Sequence, residues 1–515
     1  MLACRSLLCR FHLSIAVIAL SAAPAVAQRS YPMLMSASPL AIQAGTTAEH
    51  TVQSRYSMHG AFEVLIAGDG VRAEIVPPEI DAEKLKPGEQ PQVTSLVLKL
   101  TADADAQPGP RDFRIATAQG PSTIGQFVVV RDAIFRESGK NDTAADAPLV
   151  ELPAALCGAI EKDEDIDCYR FKAEAGATWT FCVHAARCED RIHDLQMHVD
   201  PILTLRSADG GVLAVSDNEF FADPAFSYQF KEAGEYLLEI RDVRYEGNTY
   251  WQYCIEAIDR PLVTNVHPLG VVAGSCVTLE PTGFNVSDLV GTQWESPADL
   301  RPGFHFALPL AWGQAKMNPV PVVVHDLSPA LEGDETNDSP ADAELLAIPS
   351  GVSGRIEHEG DVDIYGFEAK KGDRLNFEIV ARRHGSALDP IIALLNEKGA
   401  RLIESDDYTQ GRTISADALI ENWAAPADGK YYFEVRDLHG RGGPAFVYLL
   451  KATHSGPAFH LDVDTDKTVL TPGTSGVIFV RVTRKNDFAG PIELAIDGLP
   501  EGVTASSGRI LAGAT

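Results

Sequence analysis

The sequence predicts an all-β, multidomain chain of antiparallel β-sandwiches, part jelly-roll-like and part Ig-like. Three observations carry that expectation: an apolar period of two, turn residues at short intervals, and a long internal repeat. The chain has 515 residues, which at roughly 100–150 residues per domain implies about three to five units. Its hydrophobic fraction of 45% and charged fraction of 22% are those of globular proteins. The 42 glycines and 32 prolines exceed what a helical protein carries. A formal net charge of −29 disfavours nucleic acid and anionic membrane as partners, since both are polyanions. It leaves cations, basic surfaces and neutral polymers as candidates.

The period of two is clearest where Leu375, Phe377 and Ile379 alternate with Asn376, Glu378 and Val380. Tyr431, Phe433 and Val435 alternate in the same way with Tyr432, Glu434 and Arg436. Strands buried on one face read like this. Turns such as Asp209-Gly210-Gly211, Lys398-Gly399 and Ala427-Asp428-Gly429 separate them.

The repeat is more specific. Asn141-Asp142 recurs as Asn337-Asp338, and Asp165-Ile166-Asp167-Cys168-Tyr169-Arg170-Phe171 recurs as Asp361-Val362-Asp363-Ile364-Tyr365-Gly366-Phe367, both at an offset of 196. Gly176 then meets Gly372, Phe181 meets Phe377, and after an insertion in the first copy Asp200-Pro201 meets Asp389-Pro390. Gly234-Glu235-Tyr236 through Arg241-Asp242 meets Gly429-Lys430-Tyr431 through Arg436-Asp437, and Tyr253 meets Tyr448. An ordered match of this length is a domain duplication. The segments between the copies are also β-rich, and Pro39-Leu40 with Ala44-Gly45 recurs as Pro268-Leu269 with Ala273-Gly274. The expected organisation is a signal peptide at 1–27, an Ig-like domain at 31–131, the first repeat at 136–258, a short Ig-like domain at 261–327, the second repeat at 332–453, and a partial Ig-like unit at 457–515 that reads as truncated.

Export is expected from Arg5 and Arg10 ahead of a short apolar run, Leu13 to Leu20, followed by Ala25-Val26-Ala27. The run is too short to span a bilayer. The mature protein is therefore expected outside the cytoplasm: secreted, periplasmic or at the cell surface of a bacterium.

The Asn-Asp entry, the Asp-x-Asp-x-Tyr-x-Phe strand, the glycine-opened strand after it and the Gly-x-Tyr…Arg-Asp strand together resemble the bacterial pre-peptidase C-terminal domain. The resemblance covers 136–258 and 332–453. It implies a β-sandwich without catalysis of its own, serving substrate adhesion or support of a neighbouring domain. Relatives on bacterial collagenases take up calcium, and what that implies here is a site at Glu335, Asn337, Asp338, Asp361 and Asp363, with a counterpart at Asn141, Asp142, Asp165 and Asp167. Calcium takes six to eight oxygen ligands from flexible segments. Gly139 stands opposite Glu335, so the first site is expected to be weaker. The simpler account is that Asn-Asp caps a turn and Asp-x-Asp is the solvated tip of a hairpin.

Six cysteines follow the signal: Cys157, Cys168, Cys182, Cys188, Cys254 and Cys276. In an exported chain they are disulfide candidates, with 15 connectivities open. Cys157 and Cys168 flank the 162–163 turn symmetrically, which makes a hairpin staple between them the first expectation. Cys182, His184, Cys188, His193 and His198 lie within 17 residues and have the donor types zinc uses, but their spacing fits no zinc signature. Disulfides with surface histidines are the plainer reading. Tyr245, Tyr250 and Trp251 cluster near one turn and are candidates for an exposed binding face, while Arg241-Asp242 and Arg436-Asp437 read as strand-end features. No His-Glu-x-x-His, Gly-x-Ser-x-Gly or Walker-type loop occurs. A non-catalytic binding or adhesion protein is expected; the alternative is the accessory portion of a secreted peptidase or other hydrolase whose catalytic domain lies on a longer chain.

Overall fold

A computed structural model describes residues 31–514, except 82, 84, 88–89, 190–196, 220–222, 290, 304, 334–336, 411–412, 464–467, 469, 471–472 and 507. The expected signal peptide lies outside the described residues, as do His193 and Glu335.

The two repeats share ten strands in the same arrangement, and the second adds a short hairpin of Tyr408–Gln410 with Thr413–Ser415. In the first, the strands are β1 (Ile134–Arg136), β2 (Leu149–Val150), β3 (Ala154–Ala159), β4 (Ile166–Ala173), β5 (Thr178–His184), β6 (Pro201–Ser207), β7 (Val212–Ser216), β8 (Ala225–Gln229), β9 (Gly234–Asp242) and β10 (Gln252–Ile258). They form two five-stranded sheets, β1-β3-β10-β5-β8 and β2-β4-β9-β6-β7. The second contains β11 (Ser328–Leu331), β12 (Glu344–Leu345), β13 (Ser350–Arg355), β14 (Val362–Ala369), β15 (Arg374–Val380), β16 (Pro390–Asn396), β17 (Arg401–Ser405), β18 (Leu419–Ala424), β19 (Gly429–Asp437) and β20 (Val447–His454). Its sheets, β11-β13-β20-β15-β18 and β12-β14-β19-β16-β17, repeat the first order with every label raised by ten.

Alternating residues fill each core. Tyr169, Phe171, Phe181, Leu238, Ile240 and Tyr253 meet in one sandwich, and Tyr365, Phe367, Phe377, Phe433, Val435 and Tyr448 in the other. These aromatics bury large apolar areas, the main term favouring the fold. β1 and β11 pair in parallel with β3 and β13, so the chain arriving from the preceding domain becomes the edge strand of the sandwich.

Ahead of the first repeat, a four-stranded and a five-stranded sheet enclose Leu34, Val52, Leu98, Phe113 and Phe127. Ahead of the second, residues 262–325 form two three-stranded sheets around Val266, Leu279 and Val322. Both domains dock on the next sandwich through the recurring Pro-Leu pair. Leu40 packs with Val128 and Val130 against Ala155, Cys157, Cys188 and Cys254. Leu269 packs with Val323 against Val380, Val447 and Leu449. Past residue 457, Ala458–Val463 pairs with Val480–Lys485 and Ile492–Glu493 with Arg509–Ile510.

Two expectations need correction here. The 162–163 turn is not a hairpin turn, because β3 and β4 belong to different sheets. Leu156 and Tyr169 point into the core, so their neighbours Cys157 and Cys168 face outward on opposite sides of the sandwich, one under the preceding domain and one beside Ala147 and Leu237. Sheets pack about 10 Å apart, whereas disulfide-linked Cα atoms lie about 4.4–6.8 Å apart, so a Cys157–Cys168 bond does not fit this fold. Nor do Tyr245, Tyr250 and Trp251 together form an exposed face. Trp251 is buried in the core, Tyr250 packs beside Met35, and only Tyr245 projects, beneath the Arg241 guanidinium at 4.1 Å.

Candidate metal centre

In the second repeat, carboxylate oxygens of Glu332, Glu357 and Asp363 all lie within 4.8 Å of one another. Three elements bring them together: Glu332 ends the incoming edge strand β11, Glu357 follows β13, and Asp363 sits in β14. Asp363 is fully buried, and its Oδ2 accepts the Tyr448 hydroxyl at 2.6 Å while its Oδ1 has no partner. Tyr448 lies 2.7 Å from the Tyr365 hydroxyl. Asn337 donates from Nδ2 to Glu332 at 2.9 Å, and Glu332 also accepts the Arg355 backbone amide at 2.9 Å. Burial, with Glu332 beside it, pushes the Asp363 carboxyl up to about 10. Burial and Glu332 likewise push Glu357 up to about 8. Two or three carboxylates in so little space must share protons or a cation, because bare charges there are costly.

The first repeat shares the Asp–Tyr–Tyr core of this centre, with Glu137 in the place of Glu332, but gathers partly different carboxylates around it. Tyr253 lies 2.7 Å from Asp167 Oδ2 and 3.2 Å from Glu137 Oε2, and its hydroxyl is 2.5 Å from that of Tyr169. Burial, then Glu137, raises Asp167 to about 9. Oxygens of Asp142, Asp165 and Asp167 also converge within 4.8 Å. Asn141 is fully buried, and both polar atoms of its side chain lack partners. Lys162 pairs with Asp142 at 3.2 Å and Asp165 at 3.4 Å, putting a positive charge at the mouth that the second repeat replaces with His358.

Glycines keep both centres open. A Cβ on Gly158 would lie 2.3 Å from the Tyr253 hydroxyl and 2.4 Å from Glu137, and one on Gly354 would lie 2.4 Å from Tyr448 and 2.9 Å from Glu332. The donors suit calcium: hard carboxylate and amide oxygens, with buried oxygens that have no other partner.

The residues expected from the sequence divide clearly. Asn337 and Asp363 enter the second centre. Asp361 is buried beside it, but its oxygens accept the Glu357 and Val362 amides at 2.6 and 2.8 Å. Asp338 is exposed and stands outside the cluster. In the first repeat Asp142, Asp165 and Asp167 converge, with Asn141 buried nearby. Asp165, Asp167, Asp361 and Asp363 are all buried, so the solvated hairpin tip is excluded. Sequence reasoning missed Glu137, Glu332 and Glu357. Glu137 and Glu332 each directly follow the edge strand of their sandwich.

Two further buried carboxylates recur. Asp437 accepts the amides of Asp389, His439 and Arg441 at 2.9–3.0 Å and pairs with the Arg441 guanidinium. Burial would raise its carboxyl, but Arg441 and the surrounding amides outweigh burial and hold it low. Asp242 does the same for Asp200 and Arg244, so the Arg-Asp pairs organise loops as well as ending strands. Asp223 and Asp417 accept the amides after β5 and β15 and pair with Arg187 and Arg383. The zinc grouping does not assemble from its described members: His184 pairs with Glu256 at 3.0 Å, and Cys182 turns toward Leu262.

The fold and its buried carboxylates define a class of tandem β-sandwich modules, each clasping its own incoming strand. Residues 361–437, from the Asp-x-Asp strand to the loop-organising Asp437, match the bacterial pre-peptidase C-terminal domain; the chain carries that domain in its second sandwich. Among solved structures, the chain is similar to the pre-peptidase C-terminal domain of a collagenase from Bacillus anthracis, at 17% identity over 23% of this chain and 100% of that one, TM-score 0.17. It is also similar to the secreted serine protease VesC from Vibrio cholerae, at 10% identity over 44% of this chain and 51% of that one, TM-score 0.17. A third is the M60 catalytic domain with two CBM51 domains of ZmpB from Clostridium perfringens, at 8% identity over 82% and 43%, TM-score 0.15. No curated protein matches the sequence. Among the described residues, no helix is long and apolar enough to cross a membrane.

Proposed function

We propose that the chain is an exported, non-catalytic binding protein whose sandwiches adhere to an extracellular protein or polysaccharide, with one structural calcium ion in each repeat. The observation that carries this reading is the position of Glu332 and Glu137. Each lies at the end of the strand that arrives from the preceding domain, so a cation there ties that strand to carboxylates of the next sandwich. Calcium would thereby fix the angle between neighbouring domains, which suits a chain that presents several modules to a polymer at once. The net charge of −29 favours neutral or basic polymers over nucleic acid. The second reading, an accessory portion of a secreted peptidase or other hydrolase, is supported by the peptidase family whose domain residues 361–437 match. Gene sequence beyond codon 515 separates the two: a catalytic domain in frame favours the hydrolase.

Co-sedimentation of purified protein with insoluble collagen, cellulose and chitin, in calcium and in chelator, tests the binding role. Retention on a polymer in calcium that weakens in chelator is the expected result. Protein left wholly in the supernatant with every polymer, in both conditions, would contradict it.

A further inference from the structure

The three cysteines beneath the first docking interface offer more than packing. Cys157, Cys188 and Cys254 are buried together under Leu40, Val128 and Val130. Cys157 on β3 stands directly opposite Cys254 on β10 in the antiparallel ladder. Their backbone settles the kind of pair they form. Ala155 donates to Ala133 at 2.9 Å, and Cys157 accepts from Glu137 at 3.0 Å, so these alternate residues of β3 turn their amide and carbonyl groups toward β1. Cys157 therefore presents no backbone hydrogen bond to β10, and Cys157–Cys254 is a non-hydrogen-bonded pair. In such pairs the Cα atoms are about 4.5 Å apart and the side chains are at their closest. That spacing falls in the range of about 4.4–6.8 Å that a disulfide spans. Both side chains point to the same outer face, where the two thiols are free and buried in one cluster. The second repeat has Ser353 opposite Leu449 at the same register, and Leu449 simply packs beneath Leu269.

We infer that Cys157 and Cys254 form a cross-strand disulfide that braces β3 to β10 under the first docking interface. The bond forms by exchange with an oxidised thiol–disulfide oxidoreductase of the exported compartment. The thiolate of one cysteine attacks the donor's disulfide, giving a mixed disulfide and releasing one donor thiolate. The thiolate of the other then attacks the cysteine sulfur of that mixed disulfide, forming the Sγ–Sγ bond and releasing the second donor thiolate. Two protons leave the cysteines and two electrons reduce the donor. Because the preceding domain covers both thiols, the exchange occurs before that domain docks. The bond closes a loop of 98 residues, Cys157 to Cys254, which contains most of the first sandwich and so constrains its unfolded state strongly.

The test uses the full chain, exported to a bacterial periplasm and also refolded in a mixture of reduced and oxidised glutathione. Free thiols are alkylated, and the protein is digested without reduction and examined by mass spectrometry. The expected product is a linked pair of peptides containing Cys157 and Cys254, with Cys188 alkylated. Addition of reductant should lower the first sandwich's thermal midpoint by more than about 5 °C, and the C157S/C254S double variant should lose that sensitivity. Both cysteines alkylated in both preparations, or either linked instead to Cys188 or Cys168, would overturn the inference.

Discussion

Calcium is expected to raise the thermal midpoint of the full chain, and the rise is expected to widen between about pH 5 and about pH 8. The reason lies in the raised carboxyls of the two centres. Asp363 is pushed up to about 10, Asp167 to about 9 and Glu357 to about 8. Without a cation the folded centres hold protons that the unfolded chain releases near pH 4. A folded-state pKa above the unfolded one gives stability that is fully present below the unfolded value and lost as pH rises through the folded value. The chelated protein should therefore lose stability steadily from about pH 5 upward. Calcium reverses the trend, because it binds the ionised carboxylates and no longer has to displace protons. At about 100 times its Kd a ligand stabilises the folded state by about 2.7 kcal/mol, or about 10 °C for a sandwich of this size. Differential scanning calorimetry across that pH range, with calcium and with chelator, reads the effect directly. Superimposed curves at every pH would show that the carboxylates share protons only.

Gly442→Ala is expected to destabilise the second sandwich by about 3 kcal/mol, the upper end for overpacking. A Cβ at this position would lie 2.1 Å from the carbonyl oxygen of His358 and 2.4 Å from its carbonyl carbon. Those are backbone atoms and cannot rotate away. The two loops are also bonded to each other, Gly360 to Gly440 at 2.9 Å and Gly443 to Ile356 at 2.8 Å. Pushing them apart would drag Glu357 and Asp361 with them, so calcium affinity should fall together with stability. Gly247 meets the backbone of Lys162 in the same way in the first repeat. Gly456→Ala is the control, since nothing lies within 4 Å of its added Cβ, and it should shift the midpoint by less than about 0.5 kcal/mol. Urea unfolding of the three proteins gives the comparison, and equal midpoints for wild type and Gly442→Ala would contradict the loop-contact argument.

The sandwich folds were legible because several core strands alternate and because the alternation recurs in a second copy. Phe377, Phe433 and Tyr365 all fall where the period of two puts them. The docking of the small domains was also marked, by the recurring Pro39-Leu40 and Pro268-Leu269, although only the structure gives those leucines a neighbour. The carboxylate centres were half legible. Asp167 and Asp363 lie in a strong repeated motif, but Glu137 and Glu332 lie at an offset of 195 rather than 196, so a rigid alignment misses them. The Tyr253–Asp167 and Tyr448–Asp363 contacts span 86 and 85 residues, and no local pattern announces them. The Cys157–Cys168 expectation failed for a topological reason: a short turn between two strands can join sheets as easily as it joins neighbours within one.

The central claim is that both repeats use the carboxylate ending the incoming strand to hold a cation. Isothermal titration calorimetry of the full chain with calcium, after chelator treatment and dialysis, tests it most directly. Two sites are expected, with the second repeat tighter because Lys162 competes at the first. E332Q should remove the tighter site and leave the other, and E137Q should do the converse. Absence of calcium binding, or both sites surviving in the two variants, would contradict the claim.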